Sequence, residues 1–357
     1  MDNIWLNSLN IVFGLSRIKK LLQTFKSAER AWRAGDGKIL QLKFDDDSIK
    51  EALKKRSAVD PKQEWGKLEK LNITTVSFFE KSYPKLLKEI GSAPMLLYLK
   101  GNAELLREKS LGVVGTRTPS NYGKICVDAI VEKLALSGLV IVSGLAQGID
   151  ALVHAATLNV NGKTIAVIGS GLNQIYPRMN LPLAENILKN NGLIVSEYPL
   201  DTPALKQNFP ARNRIIGGLS LGTLVIESKE DGGALITAKQ ALENNREVFA
   251  VPGPINQPTS VGTNQLIRAG AKTVLCAEDV LKELNINIGE TGKTVIDLDS
   301  LSSNEKSMVA LIQQEPTHID KITQITKLKA HVVSSTLTGL ELKGIVKNIG
   351  GQNYTMI

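Results

Sequence analysis

The chain has 357 residues, 43% of them hydrophobic and 4% aromatic, enough for two or three domains and at least one sizeable core. No apolar run reaches membrane-spanning length, and the start "MDNIWLNSLNIVFGLSRIKK" lacks the basic opening of a signal peptide. Its two cysteines, Cys126 and Cys276, make neither a disulfide framework nor a zinc spacing. The resulting expectation is a cytoplasmic protein with no membrane partner, no metal and no cofactor.

The formal net charge of +8 points to an anionic partner. Residues 1–110 carry 21 Lys and Arg against 14 Asp and Glu, residues 111–285 carry 15 against 14, and residues 286–357 carry 7 against 7. The excess sits in the N-terminal third. An anion site in the middle must therefore come from local arrangement.

Residues 1–65 read as short helices, because "VFGLSRIKKLLQTFKSAERAWRAG" has helical apolar spacing and "FDDDSIKEAL" offers an acidic helix start. This suggests a helical module of the helix-hairpin-helix (SAM-like) kind. Residues 66–110 connect it to the middle through turns at "SYP", "GSAP" and "KGN". From residue 111 short β-branched runs alternate with helical stretches: "LGVVG", "LVIVSG", "TIAVIG", "LIVSE", "TLVIES", "EVFAVPG" and "KTVLC". That alternation predicts an α/β domain, extending to residue 285, with a largely parallel sheet covered on both faces. Ligands of such sheets bind outside the carboxyl ends of the strands.

Residues 286–302 read as a linker. Their "GETGKT" lacks P-loop spacing, since Asn287 stands where the first glycine belongs. Residues 303–357 have the order helix, helix, long helix, hairpin, which is that of a winged helix. Few basic residues fall on its recognition helix, so a protein-contacting or packing role is at least as well supported as DNA reading.

Four turns carry candidate chemistry. In "GVVGTRTPSNYG", Gly115 lets a ligand approach the backbone, and Thr116 and Arg117 offer donors suited to phosphate. In "SGLAQGIDALVHAAT", the turn at Ser143–Gly144 opens a helix whose first N–H groups suit an anion, while Asp150 reads as a hydrogen-bond partner within the turn. "AVIGSGLNQIYPRMN" is not a dinucleotide fingerprint, because Gln174 stands at the third glycine. "VIESKEDGGALITAKQAL" ends a strand at Glu227, a potential general acid or base, before a glycine pair.

The sharpest feature is "NFPARNRIIGGLS", residues 208–220. The spacing of Ile215, Ile216 and Leu219 predicts a helix, with Arg212, Asn213 and Arg214 at its entrance and Lys206 just before. Cations there repel one another and the helix dipole, and a bound phosphate relieves both. Phe209 offers a ring for base stacking, worth roughly 1–3 kcal/mol per base. The expected exception is that one of Arg212 and Arg214 pairs with an internal carboxylate such as Glu227 or Glu197.

These segments, together with "YPKLLKEIGSAPMLLYLKG" and "SEYPLDTPALKQNFPARNRIIGGLS", resemble the bacterial DNA-processing protein A (DprA/Smf) family across nearly all of residues 80–285. The resemblance implies an extended Rossmann-like domain over 66–285 that binds single-stranded DNA without cutting it. It implies protection of incoming strands in natural transformation, loading of RecA recombinase, and a homodimer formed through the Rossmann-like domain. The family's phosphate pocket maps onto Thr116 and Arg117, Ser143–Gly144, and Lys206, Phe209 and Arg212. Thr116 replaces a usual serine, Asn173 a common aspartate, and Asp231-Gly232-Gly233 a serine-glycine turn. Two alternatives stand beside this reading. One is a nucleotide phosphoribohydrolase-like enzyme, for which the "PGGxGT" pattern is missing; the other is a small-nucleotide sensor.

Overall fold

The structure, a computed structural model, describes residues 3–44, 48–286, 301–313, 316–342 and 345–356. Two compact units divide the chain, Met1–Ile288 and Gly289–Ile357. The linker's "GETGKT" and the acidic run at 45–47 lie outside the described residues.

In the first unit the β-branched runs form strands. They are β1 (Thr74–Ser77), β2 (Leu96–Gly101), β3 (Ser110–Val114), β4 (Val140–Ser143), β5 (Thr164–Val167), β6 (Leu193–Ser196), β7 (Gly222–Val225), β8 (Glu247–Ala250) and β9 (Lys272–Thr273). They make one sheet in the order β1-β2-β6-β5-β4-β3-β7-β8-β9. Strands β3 to β9 run parallel, as the alternating pattern predicts. The stretch 66–110 is more than a connection. It contributes β1 and β2, an antiparallel pair that caps the β6 edge. Four residues of "TTVS" are too short to show a period.

Successive residues of the parallel strands fall into different cores. Val113, Ile141 and Leu224 pack on one face, against α8 (Asn121–Leu136) and α9 (Ile149–Asn159). Their neighbours Val114, Val142 and Val225 pack on the other, against α11 (Asn208–Leu219) and α12 (Gly233–Glu243). This two-sided burial explains why the strands read as continuous apolar runs. The remaining helices of this unit are α1 (Asn3–Val12), α2 (Leu15–Phe25), α3 (Ala28–Arg33), α4 (Asp36–Leu40), α5 (Ile49–Ser57), α6 (Pro61–Lys70), α7 (Lys85–Glu89), α10 (Leu181–Lys189), α13 (Val261–Arg268) and α14 (Ala277–Glu283).

Helices α1–α6 share a core with the sheet: Leu6, Leu9, Ile18 and Leu21 pack in one cluster with Leu96, Tyr98, Ile187 and Ile194. Polar contacts fix the register of α1. The buried Tyr98 hydroxyl donates to Asn7 Oδ1 at 2.8 Å and accepts from Asn10 Nδ2 at 3.2 Å. Asn10 Nδ2 also donates to the Glu197 carbonyl at 2.8 Å, just past β6.

The second unit contains α15 (Ser303–Ile312), β10 (Thr317–His318), α16 (Ile319–Thr326), α17 (Ala330–Leu342), β11 (Val346–Asn348) and β12 (Asn353–Met356). Its antiparallel sheet has the order β10-β12-β11. Met308, Ile322, Val333, Leu337 and Tyr354 form its core. This is a winged helix. Among the described residues no helix is long and apolar enough to cross a membrane.

The Tyr98→Phe variant should lose about 1–3 kcal/mol of stability, because Asn7 Oδ1 is then buried without its donor. Urea unfolding of the full chain checks this; an unchanged midpoint would mean that apolar packing alone seats α1.

Candidate functional site

The chain steps outward from β3 through β4 and β5 to β6, then returns to place β7 against β3. A crevice opens at such a reversal, beyond the carboxyl ends of the strands. Here it is a cleft of about 600 Å³, lined by the β3 turn, the start of α11 and the β7–α12 turn. A narrow recess of about 50 Å³ continues from it between Arg117, Gly144, Phe209 and Arg212.

The turns that build the cleft interlock through glycine. A Cβ at Gly115 would lie 2.6 Å from Ile149 Cγ1. Gly148 has φ +87°, and a Cβ there would lie 2.4 Å from the Thr116 carbonyl oxygen. Thr116 N–H donates to the Glu227 carbonyl at 2.8 Å, and its own carbonyl accepts from Ile149 N–H at 3.0 Å. Only Gly tolerates this approach of β3 to the start of α9.

The anion position at that helix start is filled from within. Gly144 N–H donates to Asp150 Oδ2 at 3.1 Å, and the N–H groups of Ala146 and Gly115 also hydrogen-bond this carboxylate. Burial pushes the Asp150 carboxyl up from its ordinary value, against the opposing pull of Arg212 and those three backbone donors. The Ser143 hydroxyl points inward and donates to the Val113 carbonyl at 2.7 Å. The expectation that Ser143 and Gly144 offer free donors is therefore corrected: the chain's own Asp150 holds that place. The reading of Asp150 as a partner within the turn agrees with this geometry.

Helix α11 begins at Asn208, so Arg212 and Arg214 lie in its second turn and not at its entrance. Their side chains diverge. Arg214 forms a buried ion pair with Glu197, in a separate cleft beside α1, and leaves the candidate cluster. Arg212 reaches under the cleft. Its Nη1 donates to the Gly144 carbonyl at 2.5 Å and to the Val167 carbonyl, and its Nε donates to Asn213 Oδ1 at 3.1 Å. Burial lowers its pKa to about 10 despite the nearby Asp150 carboxylate, with Arg117 adding to the decrease. It stays charged at neutral pH, tying the ends of β4 and β5 together.

The exposed cations are elsewhere. Arg117 and Lys206 line the cleft and form no ion pair among the described residues. The Arg117 guanidinium carbon lies over the Phe209 ring, 5.7 Å from its centroid. The Tyr176 and Phe209 centroids are 5.6 Å apart at an interplanar angle of 40°. The structure thus gathers Gly115, Thr116, Arg117, Lys206, Phe209, Arg212 and Asn213 at one cleft. Sequence reasoning missed Tyr176, 49% exposed, and Lys229, which faces the same space. Both lie in the connections that leave the carboxyl ends of parallel strands, β5 and β7, and that general position was the available signal.

Glu227 does not line the cleft. Its carboxylate accepts from Ser120 N–H at 2.9 Å, Ser120 Oγ at 2.6 Å and Thr259 Oγ1 at 2.8 Å. These buried contacts fasten the start of α8. Asn173 and Asp201 brace a neighbouring loop through two hydrogen bonds of 2.7 and 3.0 Å.

Fold and cleft define a Rossmann-like protein with a basic, aromatic crevice and a winged helix. The pattern of the family described as DNA recombination-mediator protein A matches residues 74–285, and that of the DprA winged helix domain matches residues 297–352. The chain is 47% identical to DNA processing protein DprA of Bacillus subtilis, over 59% of this chain and 71% of that protein. It is 35% identical to protein Smf of Synechocystis sp., over 94% of both. The X-ray structure of DNA processing protein A from Streptococcus pneumoniae superposes with a TM-score of 0.69 at 36% identity, covering 79% of this chain and 98% of that one. A second structure is that of DNA processing protein A from Helicobacter pylori, described for its single-stranded DNA binding mode. It has a TM-score of 0.54 at 31% identity and covers 60% of this chain and 95% of that one. The chain belongs to the DNA recombination-mediator protein A (DprA/Smf) family.

A pH effect follows from the residue one turn beyond Asp150. His154 Nδ1 lies 2.7 Å from Thr164 Oγ1, whose own proton goes to the Ile141 carbonyl. The ring is therefore the Nδ1–H tautomer, and its Nε2 is buried without a partner. Burial, aided by Arg212, lowers its pKa to about 3. Between about pH 3 and the ordinary histidine value near 6.5, the unfolded chain binds a proton that the folded chain rejects. Stability should fall as pH drops through that window, by up to about 1.4 kcal/mol per unit. In His154→Asn, urea unfolding at pH 4.5 and 7.5 should show a smaller acid loss than wild type.

Proposed function

We propose that this protein is a single-stranded-DNA-binding recombination mediator that catalyses no reaction. It protects incoming strands during natural transformation and loads RecA recombinase onto them. It acts in the cytoplasm as a homodimer formed through its Rossmann-like domain. The observation that carries the reading is the group at the mouth of the cleft. Arg117 is stacked on Phe209 beside Tyr176, with Lys206, unpaired among the described residues, lining the same cleft.

Cations facing solvent attract phosphates, and open rings accept any base by stacking. A single strand supplies both, whereas a duplex keeps its bases stacked and out of reach. Gly115 and Thr116 bring backbone close to the bound phosphate, Asn213 and Lys229 border it, and Arg212 contributes charge from beneath. Ser143 and Gly144 support this surface from inside, and Arg214 stands apart from it in its pair with Glu197. The enzyme alternative is less well supported, because its glutamate, Glu227, has its oxygens engaged by three donors away from the cleft.

The test is fluorescence anisotropy of a labelled oligonucleotide, single-stranded and duplex, across a salt series. The wild type should prefer the single strand. Arg117→Ala and Lys206→Ala should each weaken binding and flatten the salt dependence, by about 0.7 in slope for every phosphate left without its cation. Phe209→Ala should weaken binding with little change in slope. Equal affinity for duplex and single strand would count against the stacking role.

A further inference from the structure

Strand β1 is antiparallel to β2, and β2 is antiparallel to β6. The end of β1 therefore emerges at the same rim of the sheet as the turns of the DNA cleft. Its next two residues, Phe78 and Phe79, border a second groove of about 400 Å³ against α2 and the end of α7. The floor is apolar, formed by Leu22, Ile90 and Met95. Phe79 remains 46% exposed at the wall. A large ring left this open beside an apolar floor marks an unfilled contact surface.

Among the described residues, the charge that lines the groove has one sign: Lys19, Lys26 and Lys88 border it, and no carboxylate does. Lys88 Nζ stands 4.9 Å from the Phe78 centroid, and Lys19 Nζ donates to the Gly91 carbonyl at 2.8 Å, so both ammonium groups are held at the edge. Neighbouring acids are engaged elsewhere. Glu89 pairs with Arg246, and Glu80 accepts from Asn3, Ser77 and Ser82.

We infer that this groove docks an acidic peptide of a partner protein, with one aromatic or aliphatic side chain seated on the apolar floor. Apolar depth selects an anchor residue, and the lysines select flanking aspartates or glutamates. A nucleic acid fits less well. Phe78 has Lys88 over its ring, with Phe79 and Tyr83 packed edge-on at interplanar angles of 82° and 62°. The floor beneath offers a base no aromatic face.

The probe is a fluorescein-labelled peptide of four aspartates followed by phenylalanine, measured by anisotropy against the full chain. Saturable binding is expected, weakened at least tenfold by Phe79→Ala and by the double change Lys26→Glu with Lys88→Glu. Alanine in place of the peptide's phenylalanine should weaken it comparably. Arg117→Ala should leave it unchanged, which separates this groove from the DNA cleft and from the fate of that reading. No saturable binding, or binding indifferent to the Phe79 and lysine changes, would overturn the assignment. So would displacement of the peptide from Arg117→Ala protein by an oligothymidylate, which would make the groove a nucleic-acid site.

Discussion

The cleft depends on two opposite charges buried near one another beneath it, Asp150 and Arg212. Each is costly to bury alone, and the opposite charge and the backbone hydrogen bonds around it offset that cost. Asp150 gathers N–H groups from the turns after β3 and β4, while Arg212 gathers carbonyls from the ends of β4 and β5. Together they convert three separate strand ends into one rigid rim. Helix α11 is anchored to that rim through Arg212, and Phe209 sits one turn earlier on the same helix. The ring that Arg117 covers is thus positioned by the hydrogen bonds of Arg212 to the strand ends beneath it.

This arrangement also explains how a segment of nearly neutral net charge presents a basic surface. The cations around the cleft divide into two groups. Arg212 and Arg214 are neutralised or hydrogen-bonded inside the fold. Arg117 and Lys206 face solvent without a carboxylate partner among the described residues. Of the acids around the cleft, Asp150 and Glu227 are buried and Glu197 is paired with Arg214, while Asp231 is exposed at the edge of the cleft. Local positive potential comes from hiding carboxylates rather than from adding lysines, and a low-dielectric wall beneath focuses it outward.

What the sequence made legible follows from the range over which each signal acts. The parallel strands and the Gly115 turn are local patterns, and they were readable. The mirror distribution of Val113 and Val114 over two cores leaves the continuous apolar run that marked β3. Strands β1 and β2 were missed because their pairing spans an intervening turn and a short helix. The roles of Arg212 and Arg214 were not separable from spacing alone. Two residues apart on a helix point about 200° apart, so one reaches the cleft and the other reaches Glu197 on the far side. The helix start itself was misplaced because the apolar spacing that marks the helix begins only at Ile215, about two turns after Asn208. Tyr176 shows no link to the site within its own turn, since only the tertiary fold brings it to Phe209.

The two grooves on the rim of the sheet differ in a way that bears on what a mediator must do. In the strand order, β1 stands five places from β3, a separation of about 24 Å at ordinary strand spacing. One groove carries a half-exposed tyrosine ring beside a phenylalanine that a guanidinium partly covers; the other carries an apolar floor with cations around it. The first chemistry holds a flexible polyanion by many weak, exchangeable contacts, so its grip loosens steeply with salt. The second holds one anchored side chain, so its specificity lies in shape and its charge serves mainly to speed encounter. A protein docked at β1 would stand beside a strand held at β3 without occupying its binding surface. If the protein hands its strand to a docked partner as proposed, that exchange would require release of phosphates at one end of the rim only, while the contact between proteins persists at the other.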